Sequence, residues 1–209
     1  FADFEASLKQ SKRKLIRQER KKVASYGLDI AVETGPSLTP ALADAVHGFY
    51  VDTATRRWGT DYLTRDFFRS LFAGPAASDV ALVVAYDAGR PIAAALNLVG
   101  SHALFGRHWG AARGVAESLP GLHFELSYYR AIEYAIAHKL ARVEAGAQGE
   151  HKIARGYLPA VTRSSSRLAH PGLAAAVDDF LIQERAEVDY VLDALTAAAS
   201  PYKDGRRQG

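Results

Sequence analysis

The chain has 209 residues, of which 48% are hydrophobic and 23% charged, with a net charge of +3 and a pI near 9.1. That composition describes a globular protein with ample core, one domain or one large and one partial domain, and its mild basic bias suits an anionic partner without requiring one. The absence of cysteine excludes disulfide scaffolding, Cys-ligated zinc, iron–sulfur clusters and thiol catalysis. No run of about 18 apolar residues predicts a spanning helix, and no signal-peptide pattern opens the chain, so the expected compartment is the cytoplasm. There is also no methionine, even at position 1, from which a piece of a longer protein is expected.

In chain order, residues 3–25 predict one helix stopped by Gly27. Residues 9–22 carry eight Lys or Arg, and Lys9, Arg13, Arg17 and Arg20 share a face. LDIAVET (28–34) alternates as a strand. A helix follows with Thr39 as N-cap and Pro40 at its first position, then a short amphipathic helix over 64–72. ALVVAY, PIAAALNLV and HALFGRHWG, joined at Asp87–Gly89 and Gly100–Ser101, predict a three-stranded antiparallel meander. HFELSYYRAIEYAIAHKL (123–140) predicts a helix with Leu126, Tyr129, Ile132, Ala135 and Ile136 on one face. A short strand over 141–145 and a long helix from about 173 to 199 complete an α+β domain with a mixed sheet.

The polar stretch RVEAGAQGEHKIARGYLP (142–159) concentrates the chemistry. It sets Glu144, Gln148, Glu150, His151, Lys152, Arg155 and Tyr157 among three glycines. A strand that runs into such a loop is how a rigid scaffold presents a site; a surface turn is the structural alternative. His151 suits a general base or an oxyanion donor because its ordinary pKa lies near neutrality. Glu144, at the strand end, suits proton acceptance. His123 and Glu125 fall in the first turn of their helix, where a carboxylate also serves the helix dipole. His102, His108 and His123 are scattered, and no metal site is expected.

The words SLKQSKRKLIRQERKKV (7–23), FYVDTATRRWGTDYLTRDFF (49–68), RPIAAALNLVGSHALFGRHWG (90–110), LHFELSYYRAIEYAI (122–136) and RVEAGAQGEHKIARGYLPAVTRS (142–164) resemble the FemAB-like predicted N-acyltransferases, a branch of the GNAT superfamily. The likeness spans residues 7 to about 190. It implies a GNAT-like fold, a mixed, mostly antiparallel sheet flanked by helices. It implies a basic linker helix at 1–27, a GNAT-like domain at 28–200 and a tail at 201–209. It implies an N-terminal GNAT-like half elsewhere in the same protein.

The resemblance also implies transfer of an acyl or aminoacyl group from acyl-CoA or aminoacyl-tRNA, with no tightly bound cofactor, to an amine of a small or cell-wall precursor acceptor. tRNA is then a possible partner. Lys152 in GEHK resembles the lysine at the acyl-transfer centre of related Fem transferases. Arg107 and Trp109 lie where a GNAT strand end faces the donor, and His123, Gln148, Glu150, Arg155 and Tyr157 are candidate substrate contacts. The segment GAARGVAESLPGLHF departs from the Arg/Gln-x-x-Gly-x-Gly/Ala loop of coenzyme A users, which keeps aminoacyl-tRNA open as donor. The family usually has Cys where Ser127 stands. A non-catalytic module that binds a peptidoglycan precursor, RNA or a partner protein is the alternative.

Overall fold

A computed structural model describes residues 1–56, 60–146 and 149–203; of Glu150 and residues 197–199 it describes the backbone alone. By packing, the chain divides into two units, one of Phe1 and Lys14–Gln148, the other of Ala2–Arg13 and Gly149–Gly209.

The first unit is built on a five-stranded sheet in the order β1-β2-β3-β4-β5, formed by β1 (Asp29–Glu33), β2 (Val80–Asp87), β3 (Arg90–Val99), β4 (Ala103–Ala111) and β5 (Arg142–Glu144). The first four strands pair antiparallel, and β5 joins β4 in parallel. The tight β2–β3 turn places Ala88 and Gly89 at φ of 47° and 77°, the left-handed pair that matches the twist of a hairpin.

β2 is buried from Val80 to Ala85 because both faces of the sheet are covered. Val80, Leu82 and Val84 face α3 (Pro40–Arg56) and α4 (Arg65–Ala73), in a core with Phe49, Tyr50, Phe68 and Leu96. Val83 and Ala85 face the other way, onto Val23 of α2 (Gln10–Ala24), Leu122 and Leu126. This is the expected α+β arrangement, a mostly antiparallel sheet flanked by helices. The expected cap forms, Thr39 Oγ1 accepting from Leu42 N at 3.2 Å, and Thr64 Oγ1 caps the next helix in the same way, accepting from Phe67 N at 3.2 Å.

Two helices differ from expectation. The N-terminal helix is two, α1 (Ala2–Ser7) and α2, because the backbone at Leu8 and Lys9 pairs instead with the chain near Pro201: Lys9 N donates to Pro201 O at 2.8 Å, and Leu8 bridges Tyr202. The helix that starts at Leu122 carries a π turn over Glu125–Tyr129 between α6 (Leu122–Phe124) and α7 (Arg130–Ala137). Of the face expected to be buried, Leu126, Tyr129, Ile132 and Ala135 are buried, whereas Ile136 is 46% exposed. A single-turn helix, α5 (Val115–Ser118), precedes this region.

The second unit holds α1, a 3-10 turn over Glu150–Arg155 and the long α8 (Pro171–Ala199), whose N-cap His170 accepts from Leu173 N at 3.2 Å through its ring nitrogen.

Candidate functional site

Candidate residues lie in both units, and each group is described within its own. In the first, the geometry starts from how β4 ends. It pairs with β5 only at Ala103–Phe105, opposite Arg142–Glu144. At the next residue, Gly106, an added Cβ would lie 3.3 Å from Glu144 O, so the β5 backbone still lies close there. Beyond it no described strand covers that edge of β4. The register against β3 also slips at this point: Leu96 pairs with His108 and Asn97 with Gly106, leaving Arg107 as the extra residue of a bulge.

The bulge pushes Arg107 outward, where its guanidinium donates to Tyr62 Oη at 2.7 Å. Tyr50 Oη in turn accepts from Tyr62 N at 2.9 Å and Leu63 N at 3.3 Å. His108 turns to the α3 side and meets the Tyr50 ring edge-on at 5.2 Å. It lines a small apolar pocket with Val46, Phe49, Tyr50 and Leu96. Its Nε2 is buried and has no hydrogen-bond partner among the described residues. Burial, and secondarily the Arg107 charge, pushes its pKa down to about 4, so the ring is neutral at physiological pH. Gly110 permits this packing, because a Cβ there would fall 2.6 Å from the Phe49 carbonyl.

Trp109 turns to the opposite face. Its ring lies 5.0 Å from that of His123, which also contacts Phe124 and Tyr128 at 5.4 Å each. Trp109, an expected donor contact, and His123, an expected substrate contact, are therefore brought together, while Arg107 pairs with Tyr62. Glu125 is 3% exposed. It accepts from Arg20 Nε at 3.1 Å and Nη2 at 3.0 Å, and from Arg130 Nε at 3.0 Å, while Glu133 takes Arg20 Nη1 at 2.7 Å. The carboxylates raise the Arg20 pKa against the opposing effect of burial. Glu144 pairs with Arg142 at 2.8 Å near the surface.

In the second unit, Gly149 takes φ of 107°, and a Cβ there would strike the His151 ring at 2.5 Å. This glycine lets the imidazole fold back over the turn. Arg155 is 6% exposed and donates to His151 O at 2.8 Å; Tyr157 N donates to Lys152 O at 3.2 Å. The turn closes at Gly156, φ 101°, where a Cβ would meet the Phe4 ring at 2.6 Å, and Tyr202 Oη donates to its carbonyl at 2.7 Å. His151, Lys152, Arg155 and Tyr157 thus share one pinned turn. Burial lowers the pKa of Lys152; burial, then Arg155 and Lys152, lowers that of His151. Gln148 and the side chain of Glu150 lie outside the described residues.

Sequence reasoning missed Tyr50, Tyr62 and His108 as functional candidates. The signal was present: both tyrosines sit in one of the words that carry the resemblance, and His108 lies between two residues already singled out.

No curated protein matches the chain. Solved structures with a similar arrangement include a possible acetyltransferase from Clostridium difficile 630 (12% identity, 68% of this chain and 99% of that one, TM-score 0.49). Another is a GNAT family acetyltransferase from Staphylococcus aureus (9%, 68% and 98%, TM-score 0.46). A third is an aminoglycoside acetyltransferase from an uncultured soil metagenomic sample in complex with sisomicin (10%, 68% and 95%, TM-score 0.46). The FemAB-like family model, described as peptidoglycan biosynthesis/recognition, matches residues 1–204, and the chain belongs to that family.

Proposed function

We propose that this chain is an N-acyltransferase or aminoacyltransferase domain of GNAT/FemAB type, which moves an acyl group from acyl-CoA or aminoacyl-tRNA to an amine of a small or cell-wall precursor. The observation that supports it most is the short β4–β5 pairing, which ends at Phe105 and Glu144 and leaves the bulged, functional-group-rich end of β4 without a strand partner on one side. An acyl donor laid along that edge meets backbone hydrogen-bonding groups that a continuous sheet would have consumed.

The chemistry needs a neutral amine, donors for the oxyanion and an aligned carbonyl. The amine nitrogen attacks the carbonyl carbon. The tetrahedral intermediate collapses, the thiolate or the terminal tRNA ribose oxygen leaves, and the amine proton passes to a base. Lys152 is the proposed electrostatic stabiliser of the oxyanion. His151, favoured in its neutral form by its surroundings, or Glu144 takes the proton. Glu125, tied to Arg20 and Arg130, positions the helix that carries His123. Arg107 and Trp109 contact the donor; His123, Gln148, Glu150, Arg155 and Tyr157 are further substrate contacts. The N-terminal GNAT-like half of the same protein completes the acceptor site, and tRNA is the partner if the donor is aminoacyl-tRNA.

The test is radiolabelled transfer by the full-length protein from acetyl-CoA and from aminoacyl-tRNA. Lys152→Ala should reduce turnover by about 100-fold, the scale of one oxyanion contact. An unchanged rate makes Lys152 a structural residue, and failure of both donors leaves a recognition module.

A further inference from the structure

His108 holds a polar atom that the chain leaves unpaired. Its Nε2 is buried without a hydrogen-bond partner among the described residues, a state that native proteins seldom keep without a use. The residue lies in the stretch of β4 beyond Phe105, where no described strand covers one edge. It forms one wall of the small pocket on the α3 side, with Val46, Phe49, Tyr50, Ala94 and Leu96. That pocket has space for about one water-sized group.

The lining selects what can enter. Tyr50 and His108 are the only titratable side chains among the described residues that line it. No carboxylate stands there to pair with an ammonium. The nearby cation, Arg107, is turned to Tyr62 Oη, so nothing there pairs with an anion. Desolvation between apolar walls therefore excludes both kinds of ion. The imidazole is itself neutral, its pKa pushed down to about 4 by burial first and the Arg107 charge second. The fitting group is uncharged, small at its inner end, and able to make one hydrogen bond to a ring nitrogen.

We propose that His108 Nε2 accepts a hydrogen bond from the uncharged primary amino group of the acceptor, so that this pocket is the amine subsite. The assignment rests on the acyl-transfer reading above. Apolar walls favour the neutral amine, the form that attacks a carbonyl. A bond made through N–H leaves the nitrogen lone pair free for that attack. Space for one small group rejects N-alkylated amines. The ring nitrogen is covered while the pocket is empty, and rotation about χ2, a soft torsion for histidine, presents it. As an acceptor at Nε2, the neutral ring carries its proton on Nδ1.

The experiment labels the histidines of the whole chain with ¹⁵N, assigns the His108 ring by its loss in His108→Gln, and titrates glycinamide at about pH 8.5, where an α-amino group is largely uncharged. The His108 nitrogens should shift saturably, with a Kd in the millimolar range, and the complex should show the Nδ1–H tautomer. The apparent Kd should weaken by about tenfold or more at pH 6.5, as the amine takes up a proton. N,N-dimethylglycinamide, with no N–H on its amine nitrogen, should also bind about tenfold more weakly. By ligand-observed NMR, His108→Phe should lose about tenfold in affinity, and His108→Gln, whose amide oxygen still accepts, should lose less. Far-UV dichroism checks both variants. The pH and dimethyl arms use the parent alone and decide the matter if the Phe variant does not fold. The proposal is overturned by no saturable shift at about 100 mM glycinamide, equal affinity at the two pH values or for the dimethyl analogue, an Nε2–H tautomer in the complex, or unchanged binding in a folded His108→Phe. No acyl donor is needed. Binding without transfer by the full-length protein removes the reaction and keeps an amine site, whereas transfer without binding removes the subsite alone.

Discussion

His108 shows how one residue's surroundings set its chemistry. Burial lowers its pKa to about 4 from an ordinary 6.5. As pH falls, the unfolded chain therefore takes up this proton first. The resulting loss of stability accrues between about pH 6.5 and pH 4 and is absent above that window. Urea midpoints at pH 7 and pH 5 should diverge more in the parent than in His108→Gln; equal divergence would place the imidazole in solvent. Ser127 poses the opposite problem, a buried Oγ with no hydrogen-bond partner among the described residues. Ser127→Ala removes an unsatisfied hydroxyl and should leave stability unchanged or raise it by up to about 1 kcal/mol; chemical denaturation measures this. Sequence reading found the residue types around the β4 end but not His108 itself. The environment of an imidazole depends on what lies across the sheet, here Tyr50 and Phe49, and local spacing carries none of that.

At the scale of elements, strands and caps were legible because they are local. Alternation set the meander, and Thr39 announced its helix. The breaks were not legible. The split at Leu8 depends on a backbone pairing with residues almost two hundred positions away. The π turn at Glu125–Tyr129 inserts one residue into an otherwise regular pattern, and a periodicity search reads through it. α2 is held by Arg20, which reaches both Glu125 and Glu133, and by Glu19, which accepts from Tyr129 Oη. Arg20→Ala strands a carboxylate that is 5% exposed with only Arg130 beside it, and should cost on the order of 3 kcal/mol. The double variant Arg20→Met/Glu125→Gln should recover part of that loss in thermal denaturation, because it removes the charge along with its partner.

For the whole molecule, stability is distributed unevenly. β2 and β3 carry the sheet's core on both faces, whereas no residue from 171 to 191 is fully buried. In native-state hydrogen exchange the amides of β2 and β3 should be the slowest, and those of 171–191 should exchange orders of magnitude faster; comparable protection would show that the long helix is covered within the chain. Within the described residues, no helix is long and apolar enough to cross a membrane. The layered α+β plan was readable in advance from element order. The grouping of the N-terminal segment with the last third of the chain was not, since nothing in either stretch names the other. The slip at Arg107 has a consequence for how the sheet tolerates change. Asn97 faces Gly106 and Leu96 faces His108, so position 107 stands outside the ladder's count. Excising that single codon would splice the strand back into plain alternation with every neighbouring side chain still on its own side.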